Sequence, residues 1–171
     1  MDYFVVSDIH GDAYWAKRIV DAYQESGADK LVILGDILYH GPRNDLPEHY
    51  APKEVIALLN PLASSILAVR GNCDAEVDQM VLDFPITDDH IYLRSGDSVF
   101  YATHGHRLDP ADPAKELKDN EILLFGHTHV AMDTIVNNIR LMNPGSPSIP
   151  KENTKPSYIM IREGKARLIA F

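Results

Sequence analysis

The amino-acid sequence predicts an α/β fold, and two observations lead to this prediction. In the first half of the chain, short apolar runs of strand length alternate with helical patterns, which indicates parallel strands joined by helical crossovers. The first run ends near Ser7, the second near Leu34, and the third begins at Ile66. In the second half, three pairs of apolar runs flank short polar turns, which is the pattern of β-hairpins. We therefore expect a second, largely antiparallel or mixed sheet that packs on the first.

The helices and the loop of the first half are marked by their boundary residues. Asp12 suits the N-cap of a first helix, and Gly27 suits its C-terminal stop. An irregular segment, residues 39–52, follows the second strand and contains three prolines. Loops of this length are often functional. Its last residue, Pro52, suits the first turn of a second helix.

The hairpins of the second half are marked by their turns, which are Ser95-Gly96-Asp97, Asn137-Asn138 and Glu163-Gly164-Lys165. The change in pattern between the two halves, near Pro85, is interpreted as a seam within one domain. We therefore expect residues 1–171 to form a single domain.

Composition excludes several classes of protein. The chain has 171 residues, of which 45% are hydrophobic and 24% are charged, as in an ordinary globular protein. Its formal net charge of -9 argues against a face that binds nucleic acid through phosphate contacts. The single cysteine, Cys73, excludes an internal disulfide, and no apolar stretch approaches the roughly 20 residues of a membrane span. We expect a cytoplasmic protein with no membrane segment.

Five apolar runs end in side chains that can bind metal ions. These residues are Asp8 and His10, Asp36, Asn72, His104, and His127 with His129. Because the carboxyl ends of strands in an open α/β sheet surround a crevice, we expect these side chains to lie together. Mixed nitrogen and oxygen ligands favour Mn²⁺, Fe²⁺, Co²⁺, Ni²⁺ or Zn²⁺ over a closed structural zinc site. Seven ligands are too many for one catalytic ion, so the set predicts two ions roughly 3.5–4 Å apart that share a carboxylate and a bridging water.

The strand-end residues lie in five blocks whose order and spacing resemble the calcineurin-like metallophosphoesterases. The blocks are Asp8-Ile9-His10, Gly35-Asp36, Gly71-Asn72-Cys73-Asp74, His104-Gly105-His106 and Gly126-His127-Thr128-His129. Tyr39-His40-Gly41-Pro42-Arg43-Asn44 and Asn143-Pro144-Gly145-Ser146 also resemble the small bacterial phosphodiesterases of the YfcE type. The resemblance implies a four-layer αββα sandwich, in which two mixed sheets lie between helical layers.

The resemblance also implies a division of the ligands between two ions. Asp8, His10, Asp36 and His129 would hold the first ion, and Asp36, Asn72, His104 and His127 the second. Asp36 would then bridge the two ions, and Mn²⁺ is the ion we expect. The implied activity is hydrolysis of a small phosphate diester by a hydroxide that bridges the two ions.

Other residues of the blocks are candidates for contact with the substrate. Asn72 is placed to touch the phosphate as well as a metal ion. Arg43 has the geometry for phosphate binding, although a surface arginine is an equal alternative. Arg70 and His106 stand beside ligands in the sequence, and we expect them to support the ligands or to contact the substrate.

Cys73 departs from the family pattern. Many members carry a histidine after the Gly-Asn pair, and an aspartate is thought to orient that imidazole so that it can protonate the leaving oxygen. Here the pair is Cys73 and Asp74. A cysteine thiol ordinarily has a pKa of about 8.5 and is a weak hydrogen-bond donor. We therefore expect an enzyme that works best on good leaving groups, and a packed, inert thiol rather than a nucleophile.

Two alternative functions stay open at this point. One is a phosphomonoesterase of the same fold. The other is a binding scaffold like a subunit of the retromer complex, in which the site is degenerate. All seven ligand positions are filled here with competent side chains, which favours an enzyme. The resemblance further favours a homo-oligomer, although no residue pattern decides the oligomeric state.

Overall fold

The protein is represented by a computed structural model, which describes residues 1–109, 112, 115, 117 and 121–171. The strands in this part of the chain are β1 Tyr3–Val6, β2 Lys30–Ile33, β3 Ile66–Ala68, β4 His90–Ser95, β5 Ser98–Thr103, β6 Glu121–Leu124, β7 Ala131–Val136, β8 Ile139–Pro144, β9 Ser157–Arg162 and β10 Lys165–Ala170. The helices are α1 Ala13–Ser26, α2 Pro52–Leu59 and α3 Glu76–Gln79, and a 3₁₀ segment spans Asn60–Ser65.

Within the described residues, the strands form two five-stranded mixed sheets. The first sheet has the order β10-β9-β1-β2-β3, and β1, β2 and β3 are parallel. The second has the order β4-β5-β6-β8-β7, and β5, β6 and β8 are parallel. The predicted α/β fold with two mixed sheets is therefore confirmed.

Alternation along β1 shows how the layers pack. Phe4 and Val6 are buried against α1 and α2, whereas Tyr3 and Val5 belong to a second core between the two sheets. Successive side chains of a strand point to opposite faces, so one apolar strand supplies both cores. A third cluster, around Leu123, covers the outer face of the second sheet. The predicted fourth layer would lie over that face, where the connection from β5 to β6 falls largely outside the described residues.

The predicted helix boundaries are confirmed by the caps. The Asp12 carboxylate accepts a hydrogen bond from the Trp15 backbone N–H at 2.9 Å, so it is the N-cap of α1. Gly27 ends the helix with a φ of 67°, a left-handed conformation that glycine adopts without steric cost. Helix α2 begins at Pro52, as the sequence predicts.

Two features differ from the expected arrangement. The hairpins 90–103 and 131–144 lie in the second sheet, but the third hairpin, β9–β10, returns to the first sheet and pairs with β1. The short helix α3 was not predicted from the sequence. No helix in the described ranges is both long and apolar enough to cross a bilayer.

Candidate metal centre and active site

The parallel strands of both sheets bring the predicted ligands to one edge of the molecule. Asp8 and His10 follow β1, Asp36 follows β2, Asn72 follows β3, His104 follows β5, and His127 and His129 follow β6. Most of these side chains are buried, while Asn72 is exposed and His127 is partly exposed. A site with a buried floor and an open mouth is therefore built at the strand ends.

The backbone at these ligands has an unusual conformation. The φ angle is positive at Asp8 (54°), His10 (51°), Asp36 (53°), His127 (65°) and His129 (61°). Positive φ is uncommon for residues other than glycine and costs free energy that the surrounding structure must offset. Its recurrence at these positions indicates that the loops are turned to aim side chains into one site.

Two glycines allow the ligand loops to approach each other. A Cβ atom on Gly71 would lie 2.1 Å from Oδ1 of Asp36, and one on Gly126 would lie 1.9 Å from Oγ of Ser7. Both distances are far below van der Waals contact. Close packing at the strand ends therefore requires glycine at these two positions, just before Asn72 and His127.

The first cluster consists of Asp8, His10 and His129. Nδ1 of His10 lies 2.8 Å from the Tyr39 carbonyl and Nδ1 of His129 lies 3.1 Å from the Ile149 carbonyl, so each Nδ1 is the donor. In the neutral rings the two Nε2 atoms therefore carry lone pairs, and they lie 3.1 Å apart. Oδ1 of Asp8 lies 3.5 Å from His10 Nε2 and 3.2 Å from His129 Nε2.

These three atoms fit a bound cation. Oδ1 of Asp8 is buried and has no hydrogen-bond partner among the described residues. Ligands about 2.1 Å from one ion stand roughly 3.0–3.4 Å from each other, which is close to the spacing of these atoms. A cation between them would replace the repulsion of opposed electron pairs with attraction.

The second cluster is centred on His104. Its Nδ1 donates to the Leu34 carbonyl at 2.6 Å, so in the neutral ring Nε2 carries the lone pair. That Nε2 lies 3.0 Å from Oδ1 of Asn72 and 3.4 Å from Oδ2 of Asp36. Oδ2 of Asp36 also lies 3.7 Å from Nε2 of His10, which places this carboxylate between the two clusters.

His127 lies beside both clusters. Its backbone N–H donates to Oδ2 of Asp8 at 2.9 Å, and its ring centroid is 5.3 Å from that of His104. Burial lowers the pKa of His127, and the neighbouring His104 lowers it further. A neutral imidazole is the form that binds metal ions.

The site attracts positive charge. Burial alone would lower the pKa of His104, but Asp36 and Asp8 raise it to about 9. The pKa of His10 is likewise raised by Asp8, against the effect of burial. Burial would raise the pKa of Asp8, but the His10 and His129 rings beside its carboxylate hold it well below its usual range. Protons and divalent ions therefore compete for the same electron pairs.

Asp74 holds the loops that carry the ligands. Its side chain is buried and accepts hydrogen bonds from three backbone N–H groups: Asp36 at 2.8 Å, Gly71 at 2.7 Å and Ile37 at 2.9 Å. These bonds occupy both carboxylate oxygens and join the end of β2 to the end of β3. The structure thus gives Asp74 a positioning contact with backbone, where the sequence led us to expect a partner for the side chain at position 73.

Cys73 lies at the wall of the site. Its backbone N–H donates to Oδ1 of Asp36 at 2.8 Å, and its Sγ accepts a bond from Nδ2 of Asn72 at 3.2 Å. Burial raises the pKa of the thiol to about 12, and the Asp36 carboxylate adds to this rise. The inert thiol expected from the sequence stays a prediction that is consistent with this environment.

An open cleft of about 440 Å³ adjoins the two clusters, and Asn72 is among its lining residues. Arg43 lines this cleft, and Arg70 lines an adjoining groove together with Arg43. The His106 ring lies 5.4 Å from that of His104, and burial lowers the pKa of His106. Lys151, which was not predicted from the sequence, also lines the cleft. Its backbone N–H donates to the His129 carbonyl at 3.0 Å. Lys151 lies between β8 and β9 at no strand end, so no sequence signal marks it.

Comparisons with known proteins agree with this geometry. The family model of the calcineurin-like phosphoesterase superfamily domain matches residues 1–165. Phosphodiesterase YfcE of Escherichia coli strain K12 is 45% identical over 171 residues, which cover 99% of this chain and 92% of YfcE. A solved structure of E. coli YfcE, described as a phosphoesterase, has a TM-score of 0.93 at 44% identity and covers 99% of this chain and 93% of its own. Vps29 from Entamoeba histolytica complexed with Zn²⁺ has a TM-score of 0.64 at 19% identity, with coverage of 99% and 97%, which shows the fold alone.

Proposed function

The chain belongs to the calcineurin-like phosphoesterase superfamily, and from this premise we propose that it is a metal-dependent phosphodiesterase. The observation that carries the proposal is the set of opposed electron pairs on Asp8, His10 and His129, which lie within 3.5 Å of one another. The similarity to a protein named phosphodiesterase along nearly its whole length supports diester hydrolysis as the reaction.

The two clusters would hold two divalent ions. Asp8, His10, Asp36 and His129 form the first set, and Asp36, Asn72, His104 and His127 form the second. Mn²⁺ is the proposed ion, with Ni²⁺, Co²⁺, Fe²⁺ and Zn²⁺ as alternatives, because imidazoles and carboxylates suit all of them. When bound, the ions would supply an activated water and neutralise the charge of the phosphoryl oxygens.

The protein's own residues orient the site and its substrate. The Tyr39, Leu34 and Ile149 carbonyls fix the histidine rings through Nδ1, so that each Nε2 points into the site. Arg43 and Lys151 line the cleft and would bring positive charge to an anionic ester in a protein of formal net charge -9. Arg70 and His106 are proposed to support the ligands or to contact the ester.

Catalytic roles are also proposed for the residues around Asn72. The Asn72 carboxamide would contact both ion and phosphate, since it is exposed at the mouth of the site. Asp74 would act through the backbone of Asp36 and Gly71, as a positioning residue. Cys73, as a protonated thiol, is a weak proton donor to the leaving oxygen, which favours substrates with good leaving groups.

The remaining proposals concern the setting of the enzyme. We expect a small phosphate diester as substrate, a cytoplasmic location, no nucleic-acid-binding face and a homo-oligomer. A phosphomonoesterase is the runner-up. A binding scaffold is disfavoured because every ligand position carries a competent side chain.

The proposal is tested by stripping the purified protein of metal and reloading it with Mn²⁺, Ni²⁺, Co²⁺, Zn²⁺ or Mg²⁺. Each form is assayed on bis-p-nitrophenyl phosphate and on p-nitrophenyl phosphate. We expect hydrolysis of the diester that depends on metal and is lost in Asp36→Asn. Activity that survives chelation, or a preference for the monoester, would contradict the proposal.

A further inference from the structure

An apolar groove lies beside the candidate metal centre. Its volume is about 410 Å³, and Cys73 is one of its lining residues. The apolar walls are formed by Leu38, Tyr39, Tyr50, Ile56, Val77 and Val81. The groove thus lies between the loop that follows β2, helix α2 and the chain around α3.

Several apolar side chains along the groove are exposed to solvent. Val77 is 61% exposed, Val81 is 43% exposed and Tyr39 is 41% exposed. Single exposed apolar residues are ordinary, but a contiguous set that lines a concave surface is typical of a binding site. The shape and composition therefore indicate an apolar ligand.

Two contacts join this groove to the candidate metal centre. Cys73 lines the metal-site cleft, this groove and the groove beside Arg70, and that third space shares further residues with each of the other two, so it connects them. Tyr39 forms a wall of the groove, and its carbonyl accepts the hydrogen bond from Nδ1 of the candidate ligand His10 at 2.8 Å. A molecule whose phosphate lies in the cleft can therefore extend an attached group into the groove.

We propose that this groove binds one ester arm of the phosphodiester substrate, and that this arm is an apolar alkyl or aryl alcohol. The inference rests on the proposed function, because it places the phosphate at the metal centre. The charged groups on the walls, Lys53 and Asp78, are opposite in sign. The groove therefore offers little net charge to an ionic arm and a large apolar surface to a neutral one.

Symmetric probes test the groove whichever arm enters it. Dimethyl phosphate and dibutyl phosphate carry the same single charge and differ by three methylenes in each arm. Binding of each to the Mn²⁺-loaded protein is measured by isothermal titration calorimetry, and inhibition of bis-p-nitrophenyl phosphate hydrolysis is measured in parallel. Half-burial of three methylenes predicts that dibutyl phosphate binds roughly tenfold more tightly.

Matched variants locate the effect. In Val77→Glu and Val81→Glu the ratio of the two dissociation constants should fall toward one. Ile135 is 69% exposed on the β7–β8 hairpin of the other sheet, so Ile135→Glu is the control and should keep the full ratio. Because the two probes carry the same charge, any general repulsion from the new carboxylate affects both dissociation constants equally and cancels in their ratio.

Several results would overturn the inference. Equal binding of the two probes by the wild type, or a ratio that survives in both valine variants, would refute the groove while leaving diester hydrolysis intact. A loss of oligomer mass in the valine variants, measured by sedimentation, would show that a second copy of the chain covers the groove. Failure of the wild type to hydrolyse the diester with any of the metals would refute the proposed function and the groove together.

Discussion

Asp74→Asn is expected to destabilise the fold strongly, because this side chain joins two ligand loops. The carboxylate accepts three backbone N–H groups at 2.7–2.9 Å in a buried position. An asparagine supplies one acceptor oxygen, and its NH₂ group would then face a backbone donor. Each buried group left without a partner costs about 1–3 kcal/mol. With one backbone N–H and the new amide group affected, we expect a loss of roughly 2–6 kcal/mol.

The assay is urea unfolding in chelator, so that metal affinity does not enter the free energy of unfolding. Asp133→Asn is the matched control, because Asp133 is a partly exposed carboxylate that accepts two hydrogen bonds from Arg140. Pairs of this kind contribute about 1 kcal/mol or less. An Asp74→Asn protein no less stable than Asp133→Asn would refute the role given to Asp74.

Three further predictions follow from the site. Because the pKa of His104 is raised to about 9, its contribution to the stability of the metal-free protein is present below pH 6.5 and is lost as pH rises toward 9. Proton competition weakens over the same range, so calorimetry should show Mn²⁺ affinity rising with pH, and a flat profile would contradict the assignment. The diester should have a higher kcat/KM than the monoester, because the monoester dianion needs more positive charge than Arg43 and Lys151 supply. The reverse order under the same metal would contradict this. Cys73→Ala should keep most of the activity. Cys73→His should gain activity, most of all on substrates with poor leaving groups. The gain should stay below the roughly 10²-fold that a well-placed general acid contributes, because Asp74 is bound to backbone N–H groups and does not orient the new imidazole. An inactive Cys73→Ala with full metal content would show that the thiol is essential.

Much of the fold could be predicted because its signals are local. Asp12 and Gly27 mark the ends of α1 through hydrogen bonds and backbone angles within a few residues. The hairpin turns at 96–97, 137–138 and 163–164 are local in the same way. The sheet to which a hairpin belongs is not local. β9 alternates between buried and partly buried residues, a pattern that fits either sheet, and its pairing with β1 depends on a partner more than 150 residues away.

The candidate ligands could be predicted because parallel strands end at a common edge. What the sequence could not show is the direction of each side chain. Asp74 follows Asn72 and Cys73 directly, yet its carboxylate turns to the backbone of Asp36 and Gly71. Lys151 belongs to no strand end, and the structure alone brings it to the cleft.

The central claim is that two divalent ions share Asp36, and metal stoichiometry tests it most directly. Protein saturated with Mn²⁺ and freed of excess ion should contain about two equivalents by elemental analysis, as the two ligand sets require. Asp36→Asn should lower occupancy at both positions, since Oδ2 of Asp36 lies within 3.7 Å of both His10 and His104. One equivalent in a fully active wild type, or loss of a single equivalent in Asp36→Asn, would contradict the account.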